Sequence, residues 1–130
     1  MIFKEITIIY LKKPKDDLNH EIQWLSESLG LFGHRDRERS CFRIFLELIK
    51  TDRSFTSDEI AACTRLTRGT VIHHLDRLMD AGIVVSHKNR YTLRVNRLEK
   101  LVSEIREDIL ATLEQLEGAA KELDWRLHPK

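Results

Sequence analysis

The chain has no long apolar run. The longest, residues 6–11, falls far short of the roughly 18 residues that a membrane-spanning helix needs, so no membrane partner is expected. Lys4 and Glu5 interrupt the apolar start and no small-residue cleavage site follows, so the N-terminus lacks the pattern of a signal peptide and a cytoplasmic location is expected. Cysteine is scarce. Cys41 and Cys63 fall inside expected helices without metal-ligand spacing, which suits a reducing compartment. Glycine is scarce too, and none of the five builds a phosphate-cradling loop. No clustered acid, base and nucleophile is visible, so neither enzymatic activity nor a cofactor is expected.

What is present is a helical composition with an uneven charge. The 130 residues are 42% hydrophobic and 33% charged, enough for one compact domain with an arm or two. The formal net charge of +1 hides a division along the chain. Between residues 65 and 97, seven Arg and Lys stand against Asp76 and Asp80, a balance of +5; between 98 and 130, five cations stand against eight acids, a balance of −3. Positive charge gathered in one segment suits a polyanion at one surface.

That segment contains an amphipathic helix with both ends marked. Thr67 is an N-cap residue type and Gly82 a C-terminal stop, which predicts a helix over 68–81. Val71, Leu75, Leu78 and Met79 form its packing face, and Thr70, His73, His74 and Arg77 are assigned to the opposite face. A short, polar, partly cationic face suits phosphates and base edges; the blander alternative is a solvated surface. Its neighbours bear on the choice. Residues 57–63 form a second helical pattern, capped by Thr56 or Ser57, with Ala61 small enough for a close crossing. Residues 83–86 and 90–95 read as strands joined by a tight turn at 87–89. A helix-turn-helix followed by a basic hairpin is a winged helix.

Residues 36–95 resemble the winged helix-turn-helix regulators of the ArsR/MarR class, above all in Thr70-Val71-Ile72-His73-His74-Leu75-Asp76-Arg77-Leu78 followed by Ala81-Gly82-Ile83-Val84. The resemblance implies a dimeric, sequence-specific DNA-binding transcriptional regulator. On that reading Arg65, Thr67, Arg68, Gly69, Thr70, His73, His74 and Arg77 meet double-stranded DNA from the helix, with Gly69 letting the backbone approach a phosphate. Lys88, Asn89 and Arg90 of the wing lie on the backbone or in the minor groove. One departure matters: Thr64-Arg65-Leu66 stands where such proteins carry Leu-Gly-Leu, so either Arg65 takes a positive φ or the turn is built differently. Two other functions stay open. A protein-interaction module needs an apolar recognition face, and none is visible. A metal-responsive sensor needs ligands, but the 36–50 helix lacks a Cys pair and the adjacent His73 and His74 diverge by about 100°. No metal site is assigned, and a small-molecule effector is not legible.

The flanks complete the expected architecture, mainly α with a small β-wing. Residues 1–35 form an N-terminal arm of a strand and a helix. The strand covers 1–11 and is ended by Lys12-Lys13-Pro14-Lys15, and its apolar run either buries both faces or pairs with another chain. The helix is capped by Asp16 or Asp17, carries Leu18, Ile22, Leu25 and Leu29 as a stripe, and closes at Gly30 and Gly33. The winged domain spans 36–97, and its first helix, 36–50, should turn Phe42, Phe45, Leu46 and Ile49 inward. Residues 98–125 form a long dimerisation helix, about 40 Å in length, before a tail at 126–130. Val102, Ile109, Leu116 and Leu123 recur by sevens, and Leu98, Ile105, Thr112 and Ala119 make the companion row. A second copy of the helix would cover both rows in a homodimer; the competing arrangement folds the helix back on the winged domain.

Overall fold

The computed structural model describes residues 3–15, 17–31 and 39–130. Its elements run α1 (Leu18–Ser28), α2 (Ser40–Ile49), β1 (Phe55–Thr56), α3 (Ser57–Thr64), α4 (Arg68–Asp80), β2 (Val84–His87), β3 (Arg90–Leu93) and α5 (Leu98–Leu127). Helices α2, α3 and α4 pack on one another beside a three-stranded antiparallel sheet of order β1-β3-β2. Their shared core contains Ile44, Phe45 and Leu48 of α2, Ile60 of α3, and Val71, Leu75 and Leu78 of α4. Ile83, Val84 and Leu93 of the hairpin close it on one side, and Leu101 and Ile105 of α5 cover it.

The inward face of α2 is Cys41, Ile44, Phe45 and Leu48, with Phe42, Leu46 and Ile49 half-buried. The expected face is rotated because the helix is apolar almost all round, and its sequence period therefore names no single side. Arg39, at φ 57 in the left-handed region, sets the start at Ser40; the expected opening over Asp36–Glu38 lies outside the described residues, as do Gly33 and Asp16. Asp17 caps α1 by accepting the Asn19 amide at 3.0 Å. Leu18, assigned to the α1 stripe, is 71% exposed.

The expected N-terminal strand is corrected by the hydrogen bonds. Among the described residues of the arm, none belongs to a sheet. Lys4 and Glu5 donate their amides to the carbonyl of Asp80 at 2.7 and 3.1 Å, and Ile9 donates to that of Ser28 at 2.8 Å. These carbonyls end α4 and α1, where helices leave acceptors unfilled, so the arm serves helix ends instead of a ladder. A Cβ on Gly30, at φ +71, would lie 2.9 Å from Thr7, so glycine permits both the turn and the close passage of the arm.

The wing is built around a two-residue loop. Val84 pairs with Leu93 and His87 with Arg90, leaving Lys88 and Asn89 at φ 51 and 62. Two successive positive φ values match the turn type whose twist suits a hairpin, and Asn tolerates that region better than most residues. The sheet also has a third strand that sequence reading missed. Phe55 and Thr56 pair with Tyr91 and Arg90, two residues being too few to show an alternation. Helix α5 is longer than expected, reaching Leu127.

Candidate nucleic-acid interface

The turn between α3 and α4 settles the question raised by the missing glycine. Arg65 adopts φ 58 and ψ 34, a conformation that costs an L-residue about 1–2 kcal/mol. The surroundings compensate. The Ala61 carbonyl accepts from the Arg65 amide and from the Leu66 amide, the latter at 3.2 Å, and the Arg43 guanidinium of α2 donates to the Thr64 carbonyl. A cation on the last carbonyls of a helix also faces the negative end of its dipole. Leu66 packs half-buried against the core.

At the start of α4, the Thr67 hydroxyl accepts the Thr70 amide at 3.2 Å and donates to the Thr70 hydroxyl at 2.9 Å. At the other end, Gly82 at φ 75 donates to Met79 and Ile83 donates to Leu78, each at 3.0 Å. That pair of bonds is a Schellman closure, sealed by Leu78 and Ile83, both 1% exposed. The observed helix, Arg68–Asp80, ends one residue before the expected boundary.

The structure separates the assigned residues into three groups. Arg65, Thr67, Arg68, Gly69, His73 and Arg77 are exposed and Thr70 is half-buried. Arg68 meets Asp58 at 3.7 Å in an exposed pair that constrains it little. A Cβ added at Gly69 meets nothing within 4 Å, so no contact within the fold requires glycine there. Arg77 stands in the last turn, where it lines a small cleft with Gly30, Leu31 and Cys41. His74 is the correction. It is 7% exposed, because it follows Val71 by three positions and precedes Leu78 by four, which places it on the packing side of the helix. Its ring lies 5.4 Å from that of His73, tilted by 60°.

On the wing, Lys88 and Asn89 are exposed at the tip. Arg90 is engaged within the fold: Nε donates to Ser54 Oγ and a terminal nitrogen to the Ser54 carbonyl, each at 3.0 Å, and the guanidinium meets Glu59 at 3.3 Å. Glu59 completes a capping box with Thr56, whose amide donates to the carboxylate at 3.2 Å while Thr56 Oγ1 accepts the Glu59 amide at 3.1 Å. The Thr56 amide, with Arg90 and Arg53 nearby, holds the Glu59 carboxyl below its ordinary range. Sequence reading missed Glu59, although Thr56-x-x-Glu59 is a local pattern.

A second ion pair, without any local signal, ties the wing to α5. Arg94, with a side chain only 9% exposed, bonds both oxygens of Asp108, the longer bond at 3.3 Å, and faces Glu104 at 3.6 Å. The bond to Asp108 raises the Arg94 pKa above its ordinary value.

The residues assigned to dimerisation do not form one surface. Ile105 is 3% exposed and is corrected to a core residue, while Leu98 and Ile109 are half-buried against the protomer's own core. The Thr112 hydroxyl donates to the Asp108 carbonyl at 2.9 Å, and Ala119 is exposed. Val102, Leu116 and Leu123 are 40%, 59% and 53% exposed. Among the described residues no group of three or more His, Cys, Asp or Glu could hold a metal ion, and no helix is long and apolar enough to cross a membrane.

Three packed helices, the αL turn between α3 and α4, and the hairpin that follows define a winged helix-turn-helix. Residues 44–86, about a third of the chain, match the family model described as bacterial regulatory protein, arsR family. The match supports a DNA-binding transcriptional regulator. No curated protein and no solved structure matches the chain.

Proposed function

We propose that the protein is a dimeric transcriptional regulator that reads duplex DNA with the exposed side of α4 and holds the backbone with its wing. The observation that carries this reading is the exposed α4 surface of Arg68, Gly69, His73 and Arg77, in the segment that matches the ArsR family. The N-terminal half of such a helix is the part that reaches base edges, which favours Arg68, Thr70 and His73, with Arg77 one turn further on. Gly69 fits the same picture. Glycine in a helix costs about 1 kcal/mol relative to Ala, and nothing in the fold demands it, whereas a phosphate approaching the backbone would.

Dimerisation is assigned to the exposed part of α5. Ile109, Leu113, Leu116, Ala120, Leu123 and Leu127 follow one another at alternating spacings of four and three, the repeat of a helix that pairs with another helix. Leu113 and Leu127 are 44% and 70% exposed, and with Ala120 they stand in place of Leu98, Ile105, Thr112 and Ala119 as the companion row.

Selection of bound fragments from randomised duplexes tests the whole reading, because a two-fold protein should enrich a two-fold motif. Arg77→Ala and His73→Ala should each narrow the gap between the selected site and random DNA by about 1–3 kcal/mol. Equal loss on every duplex, or no enriched motif, would reduce the protein to a general DNA binder.

A further inference from the structure

We infer that Arg53 joins Arg90 in one backbone-phosphate contact at the base of the wing, and that Glu59 occupies the phosphate position until DNA displaces it. This rests on the DNA-binding reading above and adds Arg53 and Glu59 to it. Arg53 donates to one oxygen of Glu59 at 2.9 Å and Arg90 meets the other at 3.3 Å, so two guanidiniums converge on one carboxylate. Two cations on one anion leave a residual positive charge. Each guanidinium meets one carboxylate oxygen, and a phosphate also offers an oxygen to each of two guanidiniums, so it can take the place of the carboxylate between them.

The cluster is open and aimed. The side chains of Arg53, Arg90 and Glu59 are 63%, 44% and 36% exposed, and exposed ion pairs are weak enough to exchange. Both arginines are nonetheless held in place. Arg53 lies over the Phe55 ring, 4.8 Å from its centroid, and Arg90 is fixed by its two bonds to Ser54. The pairing of Thr56 with Arg90 sets the first turn of α3 beside the base of the wing. In a helix-turn-helix the first helix crosses the phosphate backbone, so this junction faces the polyanion.

Glu59 is thus a positioning residue that competes with the ligand. Replacing Glu59 with Gln keeps a residue able to complete the capping box while removing the competing charge. Binding of a random duplex across a salt series reads the effect. Glu59→Gln should raise affinity by about three- to tenfold, and Arg53→Ala should lower it for all duplexes while reducing the slope of log K against log salt by about 0.9, one phosphate. A merely structural Glu59 would give unchanged or weaker binding in a folded Glu59→Gln variant, which overturns the proposal. An unchanged slope in Arg53→Ala overturns it independently, even if Glu59→Gln fails to fold. Wild-type protein with no salt-dependent binding would instead overturn the DNA-binding reading itself.

Discussion

Helices α4 and α5 are both amphipathic, yet they dispose of their apolar sides differently. Val71, Leu75 and Leu78 of α4 are 0–1% exposed, sealed by the protomer's own core. In α5 only Leu101 and Ile105 are buried, and from Leu110 onward every large apolar side chain is 41–70% exposed. A helical stripe in a sequence states that a face wants cover; it does not say whose surface provides it. The first three turns of α5 obtain cover from the winged domain. The distal part extends beyond that domain and retains the spacing of a paired helix.

The most drastic way to break this contrast is Leu116→Glu. A carboxylate in the exposed row opposes pairing by several kcal/mol while leaving the protomer core intact. Sedimentation should show a monomer at micromolar concentration with unchanged helicity; a persistent dimer would mean the row lies elsewhere. Leu75→Ala probes the other helix. It should cost about 2–5 kcal/mol in denaturant unfolding, because it empties a closed core whichever way the protein assembles. The smallest effect sharpens the role of α4's exposed side. Gly69→Ala should stabilise the fold by about 0.5–1 kcal/mol yet weaken duplex binding, a divergence that a purely structural glycine would not produce.

The legible parts of the sequence were those whose physics is local. Thr67 and Gly82 marked α4 to within a residue because caps act over one turn. Lys88 and Asn89 sat between two strand patterns, and turn chemistry found them. His74 was misassigned because a polar residue on the border of a stripe looks exposed until neighbouring elements close over it. The arm was misread for a related reason: its Ile-rich run satisfies strand propensity, but a strand also needs an available edge, and the carbonyls of Asp80 and Ser28 took its amides instead. Arg94 with Asp108 and Arg90 with Ser54 were invisible, since partners 14 and 36 positions apart leave no periodicity to read.

The Arg94 contact also bears on measurement along DNA. It anchors the wing to the proximal turns of α5, so the pose of a reading head and the direction of its helical stalk are one mechanical quantity. In a pair joined by those stalks, the interval between recognition helices must agree with the duplex repeat of about 34–36 Å. For the proposed dimer, a half-site interval counted in base pairs would then act as a ruler for the angle that Arg94, with the buried Leu101 and Ile105, sets between wing and stalk.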